Sequence, residues 1–196
     1  MKMKFAILLC CGFLSISIHA QNFGGGIILG ISTSQVSGDN LGGFNKAGLL
    51  AGGFIDLQLS KTLKGQMEMT FIQKGSNNPK MIENEITDIS LSYIEIPLVI
   101  KYQQSNIIAI ETGFETAFLI NAYDNDLYSE IRKHPFNKMD VSIFIGMDYS
   151  INPQLILNSR ISNSILPIRA HASGATFQLN KGQYNSVLSF ALHYIL

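Results

Sequence analysis

The last ten residues of the chain place Leu188, Phe190, Leu192, Tyr194 and Leu196 at every second position, with Ser189, Ala191 and His193 between them. Side chains on a strand alternate faces, so the five large apolar groups form one row and the small or polar ones another. Such a row needs an apolar medium. In an ordinary sheet protein that medium is the core. Here an export signal stands at the other end of the chain, which makes lipid the expected medium and the segment the closing strand of an outer-membrane β-barrel.

The export signal reads from Lys2 and Lys4 as the positive region and residues 5–18 as the apolar stretch. Residues 17–20, Ser-Ile-His-Ala, then put a small residue before the expected cut after Ala20. The apolar run is 14 residues long, short of the about 20 that a transmembrane helix needs. Cys10 and Cys11 follow leucines rather than the small residues of a lipoprotein signal, so lipidation is not expected. Both cysteines leave with residues 1–20, and the expected mature unit, residues 21–196, then has no thiol for a disulfide, a nucleophile or a metal.

Loss of Lys2 and Lys4 moves the formal charge from +0 to −2. That balance gives no reason to expect a nucleic-acid partner, whose phosphates reward clustered Lys and Arg. Charged residues make up only 14%, against about 25% in soluble domains, yet no later segment is a long apolar helix. A membrane barrel reconciles the two, because it spreads lipid-facing groups over alternate positions of many strands.

Such alternation recurs along the chain. It appears at 24–34 with Ile27, Leu29, Ile31 and Thr33 on one face, and at 48–60 with Leu49, Ala51, Gly53, Ile55, Leu57 and Leu59. A third stretch sets Met67, Met69 and Phe71 against Gln66, Glu68 and Thr70. The fifth is the cleanest: Ile108, Ile110, Thr112, Phe114, Thr116, Phe118 and Ile120 face lipid, while Glu111, Gly113, Glu115 and Ala117 face inward. The sixth places Val141, Ile143, Ile145, Met147 and Tyr149 out and Asp140, Ser142, Gly146 and Asp148 in. In the seventh, Leu155, Leu157 and Ile161 face out, with Asn158, Arg160 and Ser162 in.

The fourth stretch resists a single register. Counting from Ile89 puts Leu91 and Tyr93 outward, and the same count would put Glu95 and Pro97 in lipid. A bulge at 94–97, where proline cannot donate a ladder hydrogen bond, would shift Ile96, Leu98, Ile100 and Tyr102 to the outer face.

Links at 61–64, 103–106 and 151–154 are short, and those at 35–46, 76–87, 121–139 and 167–185 are long. Strict alternation of short periplasmic turns with long external loops is the habit of membrane barrels. The expected fold is therefore all-β, an up-and-down antiparallel transmembrane barrel of about eight strands, whose interior is narrow enough for side chains to fill.

The residues also resemble a known family, the PorT-like outer-membrane β-barrel proteins of Gram-negative bacteria. Lys46-Ala47-Gly48-Leu49-Leu50-Ala51-Gly52 is similar to that family's second-strand opening. Glu68-Met69-Thr70-Phe71-Ile72-Gln73-Lys74-Gly75 and Leu91-Ser92-Tyr93-Ile94-Glu95-Ile96-Pro97-Leu98 resemble its third and fourth strands. The resemblance implies a fold and a location rather than an activity. It also implies recognition by the barrel-assembly machinery, which commonly reads a terminal aromatic. This chain ends in Leu196 but keeps Phe190 and Tyr194 at the expected spacing.

Chemical candidates are few. Glu68, Glu111, Glu115, Asp140 and Asp148, with Asp56, are expected to share the lumen with Arg160 and Lys74, either as a packed polar plug or as the lining of a cation-preferring pore. Arg160 should pair with Glu111, Glu115, Asp140 or Asp148, since an unpaired charge in a narrow interior is costly. Glu111 and Glu115 are roughly 13 Å apart along a strand, too far to flank one scissile bond. His134, His171 and His193 show no converging ligand pattern, so no metal or cofactor is expected. Neither a nucleophile elbow nor a phosphate loop is present, and Gly24-Gly25-Gly26 and Gly42-Gly43 read as strand or turn glycines. A lipid-modifying hydrolase is the enzymatic alternative, without an ordered Ser–His pair to carry it.

The expected function is non-enzymatic structural or interaction work at the cell surface, with outer-membrane lipids around the wall and a surface or periplasmic protein as possible partner. A narrow solute channel is the first alternative. A soluble periplasmic lipid-binding barrel, with the apolar faces turned inward, is the second.

Overall fold

The computed structural model describes residues 23–37, 43–77, 88–125, 135–170 and 182–196. The signal segment 1–20, with Cys10 and Cys11, lies outside the described residues, as do His134 and His171. Eight strands follow in order: β1 (Phe23–Ser37), β2 (Lys46–Gln58), β3 (Leu63–Asn77), β4 (Asp88–Gln103), β5 (Ile108–Asn125), β6 (Met139–Ser150), β7 (Leu155–Ser164) and β8 (Tyr184–Ile195). Each pairs antiparallel with its sequence neighbour, and β8 returns to β1, so the sheet is a closed barrel in the order β1 to β8. Closure removes both sheet edges, which is what hydrocarbon demands of a spanning sheet.

The terminal alternation is visible in the burial. Phe190, Leu192 and Tyr194 are exposed on the outer wall, whereas Ser189, Ala191 and His193 are buried inside. Outward Phe114, Phe118, Ile143 and Ile145 are likewise exposed, Phe114 at 52% and Ile145 at 57%, and Leu196 ends the row at 84%. Exposed Phe23, Tyr102, Tyr149 and Tyr194 all lie at the rim of the short turns, the position of an interfacial aromatic girdle.

The arrangement is inside-out relative to a soluble barrel: ionic side chains are buried and apolar ones exposed. This overturns the soluble lipid-binding alternative, which needed an apolar cavity where Glu68, Glu111, Glu115, Asp140, Asp148 and Arg160 are instead buried.

The fourth strand corrects the expectation made for it. Ile89, Leu91, Tyr93, Glu95, Pro97, Val99 and Lys101 all point inward in one unbroken phase, and no bulge interrupts 94–97. The irregularity sits across the ladder on β5, where Tyr93 pairs Leu119 and Ser92 pairs Asn121, leaving Ile120 as the extra residue. Apolar Ile89, Leu91 and Tyr93 tolerate the inner face because they meet Val36, Ile72, Val187 and Ile168 in an apolar cluster at the external end of the lumen. Ile168 reaches that cluster from beyond the end of β7.

β2 lets its two neighbouring strands meet inside the barrel. A Cβ on inward-facing Gly48 would lie 2.2 Å from the Gln73 carbonyl and 2.7 Å from Ser32 Oγ. With glycine there, Ser32 Oγ donates to the Gln73 carbonyl at 2.7 Å, and Ser34 Oγ accepts from the Gly75 amide at 2.8 Å. β1 and β3 are thereby joined across the inner surface of β2.

Candidate functional site

The buried ionic groups form two layers in the lumen. The lower one is centred on Arg160 of β7. Its Nε donates to Glu111 Oε1 at 2.7 Å, and Nη1 and Nη2 donate to Glu68 Oε2 and Oε1 at 3.1 and 2.9 Å. The two terminal bonds form a fork-to-fork pair, the strong geometry for a guanidinium and a carboxylate. The guanidinium also lies 4.2 Å from the centre of the Phe144 ring, which supports it from one side.

Lys101 extends this layer, with Nζ 2.6 Å from Asp148 and 3.4 Å from Glu111. Asn158 closes it by donating to Glu111 Oε1 at 2.9 Å and to Asp148 Oδ1 at 2.7 Å. Gln66 donates to Glu68 at 2.7 Å. Three carboxylates, two cations and two amides are thus mutually engaged on β3 to β7, so their desolvation is offset by direct pairing.

The upper layer is built on Lys74, whose ammonium is in close contact with Glu95 and 3.6 Å from Glu115. Asp140 accepts from Asn185 Nδ2 at 2.9 Å. Glu115 and Asp140 therefore belong to this layer and are not partners of Arg160, and Asp148 is joined to Arg160 indirectly, through Lys101 or Asn158 and then Glu111. Of the four carboxylates expected beside Arg160, Glu111 alone touches it. The reason is height. Arg160 is level with Gly146 and Glu111 in the ladder, while Glu115 and Asp140 lie nearer the external end.

Lys101 and Glu95 were missing from the expected network. Both carry the signal that would have found them, since each stands between outward residues of β4: Ile94 and Ile96 for Glu95, Ile100 and Tyr102 for Lys101.

Above the ionic layers the external mouth is capped. Ile168 is fully buried, its amide donates to the Gln183 carbonyl at 2.8 Å, and its carbonyl accepts from the Asn137 amide at 2.7 Å. Asn137 Nδ2 donates to the Pro167 carbonyl at 2.7 Å. Arg169 pairs with Asp124 at 2.6 Å and lies 4.3 Å from the Phe136 ring centre. The extra residue Ile120 makes this latch possible, because it resets the phase of β5 and turns Asp124 to the side that faces Ile89 in the mouth. Below the ionic layers, Gln66, Lys101, Asp148 and His193 border a recess of about 30 Å³, room for roughly one water. Among the described residues, no group of His, Cys, Asp and Glu is arranged to hold a metal ion.

A closed eight-stranded antiparallel barrel with an apolar outer wall and an ion-paired lumen defines a transmembrane β-barrel. The chain matches the outer membrane protein beta-barrel domain family over residues 19–168 and belongs to that family. No curated protein sequence matches it. Its fold is similar to Ail, the attachment invasion locus protein of Yersinia pestis, solved with the heparin analogue sucrose octasulfate (TM-score 0.51, 9% identity, 89% of this chain and 99% of that one). It is also similar to Neisserial surface protein A (TM-score 0.50, 11% identity, 88% of this chain and 96% of that one). At such identities the likeness concerns the fold.

Proposed function

We propose that this outer-membrane barrel is a non-conducting, non-enzymatic protein whose work is done by interactions at the cell surface, with the barrel serving as anchor. The observation that carries the reading is the Arg160–Glu68 contact across the lumen, beneath the Ile168 cap. A solute would have to break a buried bidentate ion pair and displace an apolar stopper, each costly in a narrow interior. The narrow-channel reading has only the small recess at His193 in its favour, and that recess ends at the Arg160 layer.

The finer expectations fit this reading: a PorT-like barrel, residues 1–20 removed as an export signal, insertion by the barrel-assembly machinery, and a surface or periplasmic protein as partner. The test is planar-bilayer recording on barrel whose insertion is verified by heat-modified gel migration. A silent bilayer is expected, and discrete cation-favouring steps would replace this reading with the channel. N-terminal sequencing of the membrane-extracted protein should start at Gln21.

A further inference from the structure

We infer that a recess in the outer wall near the short-turn rim holds one acyl chain of a glycerophospholipid from the periplasmic leaflet. The recess follows from the register. Leu57, Gly65, Ile100 and Thr112 stand side by side across β2 to β5 and form one outward row. Gly65 and Thr112 are its small members. The row above, Ile55–Met67–Leu98–Phe114, is large throughout, and Leu63, Tyr102 and Ile110 form a large row below. The upper row walls a furrow over Gly65 and Thr112, Phe23 bounds it on the β1 side, and its volume is about 480 Å³.

The chemistry of the furrow selects its occupant. Its walls are aliphatic and aromatic, and the Thr112 hydroxyl donates to the Phe144 carbonyl at 2.8 Å, so this side chain presents no unsatisfied donor to the furrow. The furrow is continuous with the lipid-facing wall, where the surrounding molecules are acyl chains. A chain lying in a furrow loses more exposed surface than one lying on a smooth wall, so this position retains its lipid longest. Lys61, exposed in the turn directly below between β2 and β3, puts a positive charge at headgroup depth beside the anionic phosphate.

Native mass spectrometry of the intact barrel extracted in mild detergent tests this. Wild type should carry one glycerophospholipid per barrel. Gly65→Leu fills the furrow without a backbone clash, because the nearest atom to an added Cβ is Leu59 Cδ1 at 3.4 Å. That variant, folded by heat-modifiability, should lose the adduct at least about tenfold, equivalent to about 1.4 kcal/mol in retention. Lys61→Glu leaves the wall untouched and should also lower retention, which keeps the test decisive if Gly65→Leu fails to fold. Bare wild-type barrel, equal retention in wild type and the variants that fold, or a wild-type dimer cross-linked through the furrow would each overturn the assignment.

Discussion

Arg160 and Glu68 stand on β7 and β3, four strands apart around a ring of eight, and their side chains meet through two hydrogen bonds at 3.1 and 2.9 Å. The contact is a diameter of the barrel. It ties opposite walls together, whereas the ladder ties only neighbours, so it spans the lumen and resists its deformation.

Truncating Arg160 to Ala leaves Glu68 and part of Glu111 buried without their cation. The expected loss is about 3–5 kcal/mol, read as a lower denaturant midpoint for the lipid-reconstituted barrel. Arg160→Lys should recover only part of it, because an ammonium cannot reproduce the fork while also reaching Glu111. An unchanged midpoint in Arg160→Ala would remove the cross-lumen pair from the stability account.

Lys74 is the cation of the upper layer, against Glu95 and Glu115. Lys74→Met alone should destabilise by about 3–5 kcal/mol, and Lys74→Met combined with Glu95→Gln by distinctly less, since the double change removes a charge of each sign. A double-mutant cycle in urea measures the coupling. Additive losses would mean the two side chains do not interact in the folded barrel.

Phe114 faces lipid at mid-wall and is 52% exposed. Phe114→Arg should cost about 2–4 kcal/mol at that depth and lower the heat-modifiable fraction recovered from vesicles.

Gly48 permits the approach of β1 to β3. Gly48→Val should destabilise by about 1–3 kcal/mol through overpacking against the Gln73 carbonyl and Ser32. Gly65→Val, on the outer wall with its nearest neighbour at 3.4 Å, should leave the midpoint close to wild type. Equal effects at the two glycines would show that the inner contact across β2 has no energetic weight.

The inner and outer faces of β5, β6, β7 and β8 were readable because period-two alternation is a local property: the residue type at each position reports the medium on its own side of the sheet. Glu111, Asp148, Arg160 and His193 accordingly lie inside, and Phe114, Ile145 and Leu192 outside. β4 was misread for a physical reason. Its inner face is polar at Glu95 and Lys101 but apolar at Ile89, Leu91 and Tyr93, because the medium inside the barrel changes along its axis, and it changes where Ile168 enters the mouth.

Local alternation thus determined that this chain makes strands with an apolar outer wall, and the order of short and long links determined the up-and-down course of those strands. Which charges meet was decided by the tertiary structure alone. Closure sets how far each strand is displaced along its neighbour, and that displacement fixes the height at which every inward side chain enters the lumen. Glu68, 92 positions before Arg160, reaches it across the barrel, while Glu115 and Asp140, two strands and one strand away, enter at another height and serve a different layer. Period two records which face a residue takes; the height at which it meets the opposite wall depends on closing the ring.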